Sequence, residues 1–160
     1  MKTISLLGCG KLGLPLALDL VDEGYNVKGS TTTKSKIYKL KQSGITPYLM
    51  IIGECVQIDF FDADILVLTL PYRKTFSEPN IYKNQIKKVC EIVDNSSIKH
   101  IIFTSSSSVY PKDEKLYLPT DKFMPPNKRA EILLNCEQAL CKMENISVII
   151  IRLGGIYGVG

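Results

Sequence analysis

Gly8-Cys9-Gly10-Lys11-Leu12-Gly13 decides the reading of this chain. An apolar run, Ile4-Ser5-Leu6-Leu7, precedes it, and a helix-like segment over residues 12–23 follows. The order is strand, glycine turn, helix. Three glycines at this spacing are a weak signal alone, but between a strand and a helix they imply a dinucleotide site. Each has its own reason. Gly8 lets the chain leave the strand in a tight turn. Gly10, lacking a Cβ, lets backbone amides approach a pyrophosphate. Gly13 lets the helix lie close to the strand, with small Ala17 one turn later in the same contact. The amides of Lys11 and Leu12 then open the helix, and its dipole favours an anion. The alternative is a strand–helix turn that merely tolerates glycine.

Working outward, strands and helices alternate. Strands are predicted over residues 3–7, 26–30, 47–52, 64–70, 100–105 and 147–152. Helices are predicted over 12–23, 34–42, 80–94 and 128–143. Residues 54–62 read as loop or a short strand, and 106–127 as a long polar loop. Asp64-Ile65-Leu66-Val67-Leu68-Thr69-Leu70 ends at Pro71 and has the continuous apolar pattern of a strand buried on both faces. The alternation predicts an α/β protein with a parallel sheet of about six strands, helices on both faces and strand order 3-2-1-4-5-6. The ligand is expected at the switch point.

The 160 residues suit one domain, and an apolar fraction of 45% suffices for a core. The net charge is +4, with lysines scattered. The densest run, Lys34, Lys36, Lys39 and Lys41, reads as a solvated helix face, so no nucleic-acid partner is expected. Five cysteines form an odd set whose spacing fits no metal motif, the pattern of reduced thiols in a cytoplasmic protein. No apolar run is long enough for a membrane span.

The end of the second strand bears on cofactor choice. A carboxylate there would accept the ribose hydroxyls and repel a 2′-phosphate. The residues present are Ser30, Thr31, Thr32, Thr33 and Lys34. Hydroxyls and a lysine suit an added phosphate, which favours NADP, with NAD as the alternative. The threonines could equally just cap the second helix. Leu70, Pro71, Thr104 and Ser105, where two further strands end, complete the expected cofactor set.

Two further runs join the glycine turn: Thr104-Ser105-Ser106-Ser107-Ser108-Val109-Tyr110, and Arg152-Leu153-Gly154-Gly155-Ile156-Tyr157-Gly158. Together they make the whole chain resemble an extended or atypical short-chain dehydrogenase/reductase of the NAD-dependent epimerase/dehydratase family. The resemblance implies a three-layer αβα Rossmann fold and chemistry on sugar nucleotides or related small molecules. It makes Ser106 the residue that hydrogen-bonds a reacting oxygen; the alternative is a serine satisfying backbone groups at a strand end.

The family's proton relay is a tyrosine followed four residues later by a lysine. None of the eight tyrosines has that spacing. Matching Glu137-Gln138-Ala139-Leu140 to the family's helix puts Arg129 at the tyrosine position and Leu133 at the lysine position. Neither replaces the pair, since arginine stays protonated and leucine carries no charge. Tyr110 and Tyr117 are conceivable substitutes that read better as packing residues, and His100, at a strand start, reads as structural. Arg73 and Lys74 could reach a cofactor phosphate or be solvated loop charges. Cys9 could have its pKa lowered by helix-start amides, but its side chain is expected in the core.

In the resembling family a substrate-binding portion begins near residue 158, so the expectation is one cofactor domain over residues 1–160 with that portion absent. An uncovered sheet edge after the last strand predicts a homodimer. Two functions follow. One is an oxidoreductase or epimerase using NADP on a small-molecule substrate. The other is a silent nucleotide-binding sensor or scaffold.

Overall fold

The computed structural model describes residues 1–72 and 80–157. Its strands are β1 (Thr3–Leu7), β2 (Asn26–Thr31), β3 (Thr46–Leu49), β4 (Ile65–Leu68), β5 (His100–Ser106) and β6 (Ser147–Leu153). Its helices are α1 (Gly13–Asp22), α2 (Lys36–Gln42), α3 (Ile81–Val93) and α4 (Lys128–Cys141). The strands form one six-stranded sheet in the order β3-β2-β1-β4-β5-β6, and every neighbouring pair is parallel. This is the doubly wound Rossmann arrangement expected from the alternation.

The period-2 geometry of a strand explains two cores. Along β1 and β4, Leu6 and Val67 face one way; Leu7, Leu66 and Leu68 face the other. The first set packs with Ala17 of α1 and Leu40 of α2. The second packs with Ile86 and Val89 of α3 and Leu133 and Leu140 of α4, together with Ile101 and Phe103 of β5. Central strands thus bury both faces, which is why β1 and β4 are near-continuous apolar runs.

Element boundaries shift where local hydrogen bonding outweighs the apolar pattern. The third strand ends at Leu49 rather than reaching Ile52, because Ile51 and Cys55 close a small antiparallel bridge. Pro47 sits at its second position, tolerated because β3 is an edge strand. The segment over 54–62 contains neither strand nor simple loop. Ile58–Phe61 is a 3-10 turn that drives Phe60 and Phe61 into the core. Another, Ser107–Val109, extends the end of β5. α2 starts at Lys36, two residues later than expected.

Candidate functional site: the crevice at the carboxyl ends of β1 and β4

Gly8 has φ of +112°, a conformation few side chains tolerate, and so turns the chain sharply out of β1. Hydrogen bonds clamp the turn from both sides. The Gly8 N–H donates to Ser30 Oγ (2.9 Å), and the Cys9 N–H to the Ser30 carbonyl (2.8 Å). Thr69 Oγ1 donates to the Gly8 carbonyl (2.7 Å) from the end of β4. A Cβ on Gly13 would collide with Gly8 O, and would stand 2.7 Å from both Leu6 Cδ2 and Thr69 Oγ1. The helix can approach the strand this closely only without that carbon.

The clamp leaves a receptor. Gly10 N–H donates to Gly8 O (2.7 Å) and Leu14 N–H to Gly10 O (3.0 Å). The N–H groups of Lys11, Leu12 and Gly13 find no acceptor among the described residues. α1 also lacks a side-chain cap and has no acid in its first turn. A Cβ on Gly10 would meet nothing within 4 Å. Unspent donors at the positive end of a helix, beside open space, suit an anion.

This receptor opens on a crevice with two chambers that share Gly10, Lys36, Leu70 and Pro71. The near chamber, about 140 Å³, is lined by Gly8, Cys9, Ser30, Thr31, Thr32 and Thr33, with Met50, Ile51 and Ile52 beneath. The far chamber, about 640 Å³, is lined by Lys11, Leu12, Thr104, Ser105 and Ser106, with Tyr72, Tyr82, Arg129 and Leu133 opposite. Most of the expected cofactor set is thus gathered in one crevice. Gly13 lies beneath it, buried. Lys34 lines neither chamber; Lys36 lines both.

Several hydroxyls have structural partners. Ser30 Oγ braces Gly8. Thr31 Oγ1 accepts from the Thr33 N–H (3.1 Å), making a turn before α2 rather than capping it; the residue before α2 is Ser35, which caps nothing. Thr104 Oγ1 donates to Leu68 O (3.0 Å), and buried Ser105 Oγ to Glu137 Oε1 (2.5 Å). Ser106 Oγ accepts from the Ser108 N–H (3.2 Å) and donates to Ser108 Oγ (2.9 Å), while its residue still borders the far chamber.

Cys9 points away from the amides, into the core against β2; a Cβ on Gly29 would stand 2.7 Å from its Sγ. Burial pushes its thiol up to about 11, so the helix start does not activate it. Arg73 and Lys74 lie outside the described residues. His100 is exposed at the opposite end of β5 from the crevice.

The residues whose place around the crevice the pattern alone did not show come from distant elements. Arg129, second in α4, projects over the Tyr72 ring at 5.4 Å, and Tyr72 meets Tyr82 edge-on at 5.6 Å. Burial pushes the Tyr82 phenol well above its ordinary range, and its OH donates to Leu70 O (3.1 Å). Behind the far wall, Glu137 and Arg152 form a largely buried ion pair (2.7 Å), and Arg152 Nη1 donates to the Tyr110 hydroxyl (2.7 Å). The hydrogen bond to Glu137 raises the Arg152 pKa further. The two motif runs therefore meet at Arg152 and Tyr110, as structure. Tyr110 stacks with Tyr117 and packs at a tilt against Phe123, outside both chambers.

The family model for the NAD binding domain of 6-phosphogluconate dehydrogenase matches residues 3–116. The chain belongs to that family. The matched stretch takes in the glycine turn and β1 to β5, but not α4 or β6. Protein YeeZ of Escherichia coli (strain K12) is 33% identical over 166 residues, an alignment covering 100% of this chain and 61% of YeeZ. The chain thus spans less than two thirds of that curated relative.

Among solved structures, a UDP-glucuronic acid 4-epimerase from Bacillus cereus, in complex with NAD, superimposes with a TM-score of 0.81 at 18% identity. The match covers 99% of this chain and 57% of the epimerase. A functionally unknown conserved protein from Silicibacter pomeroyi DSS has a TM-score of 0.71 at 20% identity, over 98% of this chain and 54% of its own. At such identities the likeness shows the fold alone. The neighbours do include the epimerase class that the motifs resembled.

Proposed function

We propose that this chain binds a nicotinamide dinucleotide across the crevice and prefers NADP to NAD. The observation that carries the reading is the row of N–H groups on Lys11, Leu12 and Gly13, without acceptors among the described residues, at an uncapped helix start. Those donors fit a diphosphate. The near chamber offers hydroxyls on Thr32 and Thr33 and the ammonium of Lys36, and among the described residues no carboxylate lines it. That lining suits a 2′-phosphate, with Lys36 taking the part first given to Lys34. The remaining contacts proposed are Gly8, Gly10, Ser30, Thr31, Leu70, Pro71, Thr104 and Ser105. Some act through the turn they brace rather than by touch.

The cofactor, when bound, supplies hydride transfer. The chain's own residues orient it and set its identity. Ser106 remains the candidate for a substrate oxygen, because its residue borders the far chamber. The substrate expected from the resemblance is a nucleotide sugar or small carbonyl compound, and the reduced-thiol reading of the cysteines puts the chain in the cytoplasm. Substrate-binding residues outside these 160 belong to that proposal. β6 is an edge strand with Ile149 and Ile151 exposed, which supports the proposed homodimer.

A second reading has its own support. Arg129 and Leu133 stand on the crevice wall, where the resemblance would put a tyrosine and a lysine. An arginine holds its proton at all working pH values. That favours a cofactor-binding sensor or scaffold over an enzyme with the usual relay. Fluorescence titration with NADPH and NADH tests the first claim: NADPH should bind more tightly, and tighter NADH would reverse the preference. Turnover with a panel of nucleotide sugars and carbonyl compounds separates the enzyme from the sensor.

A further inference from the structure

Among the described residues, the charged side chains lining the two chambers are Lys11, Lys36 and Arg129, and no aspartate or glutamate joins them. A crevice walled by one sign of charge concentrates ligands of the other. A dinucleotide accounts for two of the three. Its diphosphate meets the α1 amides beside Lys11, and a 2′-phosphate meets Lys36. Arg129, which lines the far chamber together with Lys11 and Lys36, is the one left over.

The local sequence turns Arg129 toward that chamber. Asn127 caps α4, its Oδ1 accepting from the Ala130 N–H at 3.0 Å, which sets the first turn. The acid of that turn, Glu131, is paired with Lys128 at 3.0 Å. Arg129 instead lies across the Tyr72 ring. Among the described residues none of its N–H groups has an acceptor and no carboxylate pairs with it. A guanidinium laid on an aromatic face keeps its donor fork free for a planar or tetrahedral oxyanion, and the start of α4 adds its positive end.

We infer that the far chamber receives the carboxylate or phosphate group of a second ligand on the guanidinium of Arg129. The inference deepens the dinucleotide reading and rests on it, because the cofactor is what leaves this arginine unspent. The class of substrate is therefore an anionic small molecule, gripped where a neutral carbonyl substrate would meet a tyrosine.

The test is calorimetric titration of the whole chain with oxamate, as carboxylate probe, and with inorganic phosphate. Each is added to the protein alone and to the protein saturated with NADPH. Wild type should bind at least one probe. Arg129→Met should lose about tenfold or more of that affinity, while Arg129→Lys, keeping the charge without the fork, should fall between. NADPH affinity and melting temperature should change little, since Arg129 is exposed. Oxamate binding alone assigns a carboxylate ligand, and phosphate binding alone a phosphorylated one. The inference is overturned if neither probe binds wild type. It is equally overturned if Arg129→Met binds as wild type does, for phosphate would then be sitting at the α1 amides. Failure of NADPH to bind sinks the dinucleotide reading instead, and the titrations without cofactor still decide the role of Arg129.

Discussion

The two chambers of the crevice are built on different principles. The near one is built around backbone: a glycine turn and the hydroxyls and carbonyls that clamp it, with the free amides of Lys11 and Leu12 where it opens on the far one. The far one is made of side chains that arrive from the end of β5, from α4 and from the residue after Pro71. Backbone recognition demands particular glycines at fixed spacing, so it has little freedom to change. Side-chain recognition can be rewritten one residue at a time without touching the fold. In this chain the glycine turn fits the first principle, while Arg129 and Leu133 line the far chamber where the resemblance expects a proton relay.

The largest effect should come from filling the contact under the near chamber. Gly13→Ala places a carbon against Gly8 O, Leu6 and Thr69. Backbone on one side and a packed strand on the other leave nowhere to move. The expected cost is about 3 kcal/mol or more, read as a lower denaturation midpoint together with lost cofactor binding. A variant as stable as wild type would show that the turn is softer than its hydrogen bonds suggest.

Next comes the support behind the far chamber. The Arg152 side chain is 18% exposed and that of Glu137 6% exposed, so removing either partner strands a charge. Arg152→Met should cost about 3 kcal/mol. Pairing it with Glu137→Leu should recover part of the loss, because the stranded carboxylate is then gone as well. NADPH affinity should hold in whatever fraction stays folded, which separates support of the far wall from contact with the ligand.

These two ends also differ in how far the sequence exposes them. The sheet order was legible, because a strand buried on both faces must be apolar throughout and a parallel sheet needs intervening helices. The near chamber was legible because its chemistry is local: Gly8 to Gly13 is one continuous stretch. Thr69 was not, since a threonine ending a strand carries no mark of the turn it will clamp. Lys36 was hidden by Lys34, because the Thr31–Thr33 turn delays α2 by two residues and so changes which lysine lines the crevice. The motif runs around Tyr110 and Arg152 were visible as motifs, but their meeting spans 42 residues and only the fold brings them together. Arg129 could be placed by resemblance alone, and its lie over Tyr72 not at all.

Two smaller changes should sharpen the contrast within the near chamber. Gly10→Ala adds a methyl group where the protein leaves open space. Melting should barely change, while affinity for either nicotinamide dinucleotide falls about tenfold, which is about 1.4 kcal/mol. Lys36→Met should instead spare NADH and weaken NADPH about fivefold, the scale of one exposed charge pair, with Lys34→Met as the silent control. If Lys34→Met lost the preference and Lys36→Met kept it, the lysine that the sequence put forward would be the right one after all.

The smallest effect separates the amides of the turn from the thiol beside them. Cys9 sits inside the glycine motif, yet burial holds its pKa up to about 11, and only about one thiol in a thousand is ionised at pH 8. Cys55 is exposed. Alkylation with iodoacetamide at pH 8, followed by peptide mass mapping, should therefore modify Cys55 early and Cys9 only after unfolding. The order should be the same with and without NADPH, because the ligand would lie on the side of the turn that the thiol does not face. Early labelling of Cys9 that NADPH suppresses would mean that the thiol shares the anion site with the amides. The turn would then present a nucleophile as well as a cradle.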